Sequence, residues 1–211
     1  GGEWMALGLV RNGKKVDEAY YDSVVKFVQE NANDNQQLHR AKSSENSRVI
    51  LALTAMGKDV TNVAGHNLLT GLTDMDYLHK QGINGPIWAL IAFDSGNYPI
   101  PDGNVSREAL VDTILDAQLA DGGWALAGEI SDPDMTGMAL TALAPYVKGN
   151  KEVKKAVDEA VKALSMMQSA DGGFSSVDGS NSESCAQVIV ALSALGIDAD
   201  TDQRFVKNGV S

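Results

Sequence analysis

The chain has one cysteine, Cys185, so it can form no disulfide within itself, and its redox compartment stays open. It has no apolar run long enough to span a bilayer, and no signal-peptide pattern. Basic residues are scarce: 17 Lys and Arg stand against 28 Asp and Glu, a net charge of -11. A polyanion needs a basic face to neutralise its phosphates, so nucleic acid is excluded as a partner. There is no Gly-Lys-Ser/Thr phosphate loop, no Gly-x-Ser-x-Gly elbow and no Cys-x-x-Cys pair. An initiating methionine is missing too: the chain begins at Gly1, which fits a processed protein or an excised domain.

Metal chemistry finds no support, and no cofactor is expected. Asp76 and His79 are spaced to share a helix face, but an isolated pair is not a site; His39 and His66 lie in polar surroundings. Asp198-Ala-Asp-Thr-Asp202 imitates the start of a calcium loop. It has Gln203 where the sixth-position glycine belongs and Gly209 in place of the glutamate at the twelfth, so it reads as a solvated turn.

What is present is helical patterning. At 211 residues, 44% hydrophobic and 21% charged, the chain can bury a sizeable core as a single domain, 1–211. From Val153 to Met167 apolar residues recur at Val153, Val157, Ala160, Val161, Leu164 and Met167, opposed by Lys154, Lys155, Asp158, Glu159 and Lys162. Arg107 to Gln118 and Asp17 to Glu30 repeat this one-faced pattern, which marks surface helices. Val49 to Met56, Ile87 to Phe93, Met138 to Leu143 and Cys185 to Leu195 are apolar nearly all round and must be covered on most sides. Alternation of the two kinds predicts an all-α fold, a two-layer ring of inner and outer helices. Five inner segments begin at Glu3, Glu45, Asn84, Asp134 and Glu183. Gly13, Gly57, Gly96 and Gly196 close apolar segments at the expected C-terminal position. Thr201 to Ser211 resembles the start of an outer helix that stops short, so the ring is expected to be incomplete, or the chain a fragment truncated at its C-terminal end.

One element is written twice, fifty residues apart: Gln118-Leu-Ala-Asp-Gly-Gly-Trp124 and Gln168-Ser-Ala-Asp-Gly-Gly-Phe174. Each falls between an outer and an inner pattern. The outer helix is expected to end at its glutamine, Gly122-Gly123 and Gly172-Gly173 to supply a tight turn, and Trp124 or Phe174 to pack over the joint. The glutamine amide can bond backbone groups left open at helix ends.

These two elements resemble the QW repeats of the squalene cyclase and prenyltransferase superfamily, whose fold is an α/α toroid. Within that superfamily, the opening Gly-Gly-Glu-Trp, Gln81-Gly-Ile-Asn-Gly-Pro-Ile-Trp-Ala-Leu90, Asp132-Pro-Asp-Met-Thr-Gly-Met-Ala-Leu140 and Asn181-Ser-Glu-Ser-Cys-Ala-Gln187 are similar to toroid domains in surface proteins of Gram-positive gut bacteria. Those domains are often described as prenyltransferase-like and related to the cobalamin carriers of the intrinsic factor type. The resemblance implies a cell-surface or extracellular location; residue patterns alone leave a cytoplasmic one equally open. Protein prenyltransferases of this fold hold zinc with an aspartate, a cysteine and a histidine, and nothing around Cys185 matches that arrangement.

The sharpest chemical candidate is Asp132-Pro133-Asp134-Met135-Thr136, which resembles the Asp-x-Asp-Asp-Thr motif of class II terpene cyclases. On that mapping Asp134 is the general acid and Asp132 its neighbour. Met135 replaces the third carboxylate of the motif, and aromatics are only 6% of the chain, few for a cavity that stabilises carbocations. The same residues also make a favourable helix start, with Asp132 as N-cap, Pro133 next and Asp134 in the first turn.

Three readings follow. The first is a non-catalytic toroid module of a larger surface protein, binding a small molecule, glycan or protein at the inner-helix starts, with Glu45, Asn84, Trp88, Asp134 and Glu183 as contacts. The second is a terpene cyclase or prenyltransferase-like enzyme using Asp134 and Asp132. The third is a structural spacer.

Overall fold

The computed structural model describes residues 2–175, 180–207 and 209–211; Gly1 of the opening Gly-Gly-Glu-Trp run lies outside them. Described residues form an all-α protein: α1 (Glu3–Arg11), α2 (Glu18–Asn31), α3 (Ser44–Ala55), α4 (Met75–His79), α5 (Asn84–Ser95), α6 (Arg107–Asp116), α7 (Pro133–Leu143), α8 (Lys151–Met167) and α9 (Ser182–Ala194). Among them there is no strand, only isolated bridges at Val63–His66 and Lys207–Val210. None of the described helices is long and apolar enough to cross a membrane. Backbone contacts gather into two compact units, residues 1–110 and 111–211, with the division falling inside α6.

In the first unit α1 and α5 both pack on α3, and α4 packs on α5. α5 is apolar on every side and buries Ile87, Ala89, Leu90, Ala92 and Phe93. α2 buries one stripe through Val24 and Val28 and starts at Asp17, whose carboxylate accepts the Ala19 N–H. In the second unit α7 packs along α9 and against α8. Close approach there needs Gly137: a Cβ on it would lie 3.1 Å from the Gln187 carbonyl oxygen. α8 begins at Asn150, which caps the Glu152 and Val153 N–H groups, and its single apolar face buries Val153, Val157, Ala160, Val161 and Leu164. Each such buried Val or Leu contributes about 1.5–3 kcal/mol, so an aspartate at Val161 would break the α8 seat.

Four of the five apolar helices, α1, α3, α5 and α9, share one way of stopping; α7 runs on into a single 3-10 turn at Ala144–Tyr146. After α1, α3 and α9, Gly13, Gly57 and Gly196 adopt φ of 70, 69 and 72°. The next N–H, from Lys14, Lys58 or Ile197, bonds the carbonyl five residues back at 2.9 Å. α5 stops by the same bonds with a different residue. Gly96 has φ -122°, and the left-handed position is taken by Asn97 at φ 49°. Glycine at 96 instead makes room for the Tyr98 ring, which a Cβ would meet at 2.4 Å and displace.

Thr201 to Ser211 contains no helix among its described residues. Asp202 accepts from the Arg204 N–H and holds its guanidinium, which fixes a turn, and Lys207 pairs with Val210. The segment is anchored by Phe205, fully buried, and by the Lys207 ammonium, which donates to the Ser165 and Gln168 carbonyls.

Candidate functional site

The two Gln-x-x-Asp-Gly-Gly elements repeat the same set of turn bonds. The Leu119 N–H bonds Gly123 O and the Ser169 N–H bonds Gly173 O, both at 2.9 Å. Gly122 and Gly172 are left-handed, with φ of 92 and 82°. The Asp121 and Asp171 carboxylates accept the N–H of Gly123 and Gly173 and then reach Ser131 and Ser180. The glutamines act differently from a helix-end cap: each amide nitrogen bonds its own turn and a carbonyl far along the chain. Gln118 Nε2 donates to Gly122 O and Ala156 O, within α8; Gln168 Nε2 donates to Gly172 O and Phe205 O. Trp124 and Phe174 are buried, and the Trp124 indole N–H donates to Ile114 O at 2.7 Å. Their backbone N–H groups bond the next helix, Trp124 to Thr136 Oγ1 at 3.0 Å and Phe174 to Cys185 Sγ at 3.4 Å.

A third copy sits in the first unit under a different sequence. Asn33 N–H bonds Gln37 O, Gln36 is left-handed at φ 63°, and the Leu38 N–H donates to Asn46 Oδ1 in α3. Residues 33–38 thus take the places of 119–124 and 169–174, with Asn46 standing for Thr136 and Cys185. These turns deliver the starts of α3, α7 and α9, where the candidate acids lie.

At the start of α7, Asp132 is the N-cap and accepts the Met135 N–H at 2.8 Å. Burial pushes its carboxyl above the usual carboxylate range; the Met135 bond opposes this and the neighbouring Asp134 charge adds to it. Asp134 is half-buried, and its Oδ1 is covered without a hydrogen-bond partner. Glu183, at the start of α9, is exposed and accepts the Ser182 hydroxyl, which holds its carboxyl below the usual range. Asp132, Asp134 and Glu183 therefore belong to the packed pair α7 and α9 of the second unit.

Glu45, Asn84 and Trp88 belong to the first unit, on α3 and α5. Trp88 lies one turn beyond Asn84 and meets Trp4 of α1 with ring centroids 5.1 Å apart, tilted by 51°. Trp4 is 50% exposed, while Trp88 and Asn84 are half-buried. Glu45 pairs with Arg48 one turn along α3, and Arg48 Nε lies 3.7 Å from the buried Glu3 of α1. Tyr20 of α2 faces the same charges: burial pushes its phenol up to about 12, Glu3 adding and Arg48 opposing. Residue patterning missed Trp4, Tyr20 and Arg48. The signal for Trp4 was present in the opening Gly-Gly-Glu-Trp, because α1 shares with α5 an apolar pattern that places a tryptophan in its first turns.

Among the described residues no three His, Cys, Asp or Glu side chains gather in a way that would hold a metal ion. The second unit has a cavity of about 520 Å³ walled by Phe174, Val188 and Leu192 among others; neither Asp132 nor Asp134 lines it. Compared with protein-family models, with curated proteins and with solved structures, the chain matches none.

Proposed function

We propose that this chain is a non-catalytic α/α-toroid module of a larger bacterial surface protein, and that it binds a glycan through the starts of its apolar helices. The Trp4–Trp88 pair carries the reading: a half-exposed indole in tilted contact with a second one offers an apolar face on α1 and α5, and the α3 on which both helices pack brings the charged groups Glu45 and Arg48. A sugar ring presents the complement, a C–H face edged by hydroxyls. The toroid and the surface location rest on the QW-type turns and on the resemblance of the surrounding runs. Titrating the tryptophan emission with a glycan panel, with cobalamins and prenyl diphosphates alongside, tests the proposal. A saturable change with glycans that Trp88→Ala abolishes is the expected result, and it removes the spacer reading. Response to the cobalamins or prenyl diphosphates alone would redirect it.

One observation favours a second reading. Asp134 Oδ1 is buried without a partner, and its neighbour Asp132 has a raised carboxyl, as an acid that must stay protonated requires. Against this stand Met135 in the motif and a cavity wall that omits both aspartates. Turnover of a polyprenyl substrate that Asp134→Asn abolishes would establish the enzyme and end the binding-module reading.

A further inference from the structure

The cavity of the second unit is lined by none of Asp132, Asp134 and Glu183 and has its own chemistry. Its floor is aromatic and aliphatic: Phe174 and Phe205 are buried beneath it, Val188 and Leu192 wall it from α9, and Ile189, 55% exposed, stands at its mouth. At about 520 Å³ it falls within the size range of small-molecule sites, roughly 300–1,000 Å³.

Two independent features give the occupant a sign. The first is Gln168, which lines the cavity and is 6% exposed. Its Nε2 is committed to Gly172 O and Phe205 O, so the amide cannot turn, and its Oε1 is left without a partner. A covered acceptor without a donor costs about 1–3 kcal/mol, and a donor arriving in the cavity relieves that cost. The second is the rim, formed by Asp171, Asp198 and Asp200. Their bonds come from neutral donors: Gly173 and Ser180 for Asp171, Asp200 N–H and Thr201 for Asp198, Ser211 for Asp200. The nearby cations are spent elsewhere, Arg204 on Asp202 and Lys207 on the Ser165 and Gln168 carbonyls.

We propose that this cavity binds a small amphiphilic cation, an apolar body placed against Phe174, Val188, Leu192 and Phe205 and a primary ammonium group held by the carboxylate rim and donating towards Gln168 Oε1. This site goes beyond the glycan reading and stands or falls without it.

Cys185 reports on the site, because this half-buried residue lines the same wall. The probes are 2-phenylethylamine, 2-phenylethanol and 3-phenylpropanoate, matched in apolar body and differing in head group. With the whole chain, alkylation of Cys185 by iodoacetamide should slow by 1 + [L]/Kd, about tenfold at an amine concentration nine times Kd. The alcohol should protect more weakly and the carboxylate least. Ile189→Arg, at an exposed position that leaves the helix intact, should remove protection by the amine, and Asp200→Asn should weaken it severalfold. If the free thiol resists alkylation, the same ranking is read from the rise in Tm. Equal protection by all three probes, or none by the amine, overturns the proposal. So does protection that grows with protein concentration in the absence of amine, which would assign the cavity to a second copy of the chain.

Discussion

Thr136→Val isolates the bond on which the repeated turn rests. The Thr136 hydroxyl accepts the Trp124 N–H at 3.0 Å and lies 3.3 Å from Trp124 O, in a site without solvent access. Trp124 O keeps a second donor, the Asp132 N–H at 3.0 Å, so the substitution orphans one group only, the Trp124 N–H. Valine keeps the shape but offers no acceptor, and leaving a buried donor unmet costs about 1–3 kcal/mol. For a chain of this length that corresponds to a fall in Tm of roughly 2–4 °C per kcal/mol. Urea unfolding gives the free energy, and amide exchange at Trp124 gives the locality, which should be greatest there. Thr136→Cys should fall between wild type and valine, because sulfur already serves this purpose for Phe174 at Cys185, with a longer bond of 3.4 Å. A Thr136→Val protein as stable as wild type, with unchanged exchange at Trp124, would refute the account of the turn.

Other outcomes follow from the same region. Gly123→Ala places a Cβ 2.6 Å from both the Ser131 side chain and Thr136 Oγ1, so it should cost about 1–3 kcal/mol of overpacking in urea unfolding. Asp121 titrates low: burial acts to raise it, but the Ser131 and Gly123 N–H groups and the Ser131 hydroxyl outweigh that. A depressed carboxyl stabilises the fold above its unfolded value and loses that contribution as pH falls through the folded one, so the Asp121 turn should loosen in acid, below about pH 4. Asp132 has the opposite sign. Its raised carboxyl makes the ionised form a liability that grows as pH rises through the folded value. Asp132→Asn keeps a good N-cap and should be more stable than wild type at pH 7, with the difference vanishing in acid; a difference independent of pH would contradict that assignment.

The helices were legible because their periodicities were clean: α2, α6 and α8 read as one-faced, and α3, α5 and α7 as apolar throughout and covered; α9 reads as apolar throughout too, but it is covered on one side only and leaves Ile189 and Val190 exposed. Two turns were legible from Gly-Gly and a glutamine. Their third relative was not, since Ala32 stands in the place of Gln118 and Gln168, and Gln36 in that of Gly122 and Gly172. Backbone geometry is preserved there by Asn33 and Asn46, whose side chains accept the bonds that the Asp121 and Asp171 carboxylates and the Thr136 and Cys185 side chains accept elsewhere. Thr201 to Ser211 deceived for a related reason: its helical i to i−4 bonds exist at Asp198 and Asp202, but the Asp202–Arg204 clamp turns the chain after one step. At the site, acids at helix starts are conspicuous in a sequence, whereas the meeting of Trp4 and Trp88 is a tertiary event between α1 and α5. Nothing in the spacing of two tryptophans eighty-four residues apart announces it.

The placement of the three tryptophans turns the chain into its own spectrometer. Trp124, with no exposed surface and its indole N–H tied to Ile114 O, is set to emit at the blue edge and belongs only to residues 111–211. Trp4 and Trp88, one half in water and the two in ring contact, are set to emit further to the red and belong only to residues 1–110. Unfolding watched at two wavelengths would therefore show, without any label, whether the two halves of the molecule let go together or in turn.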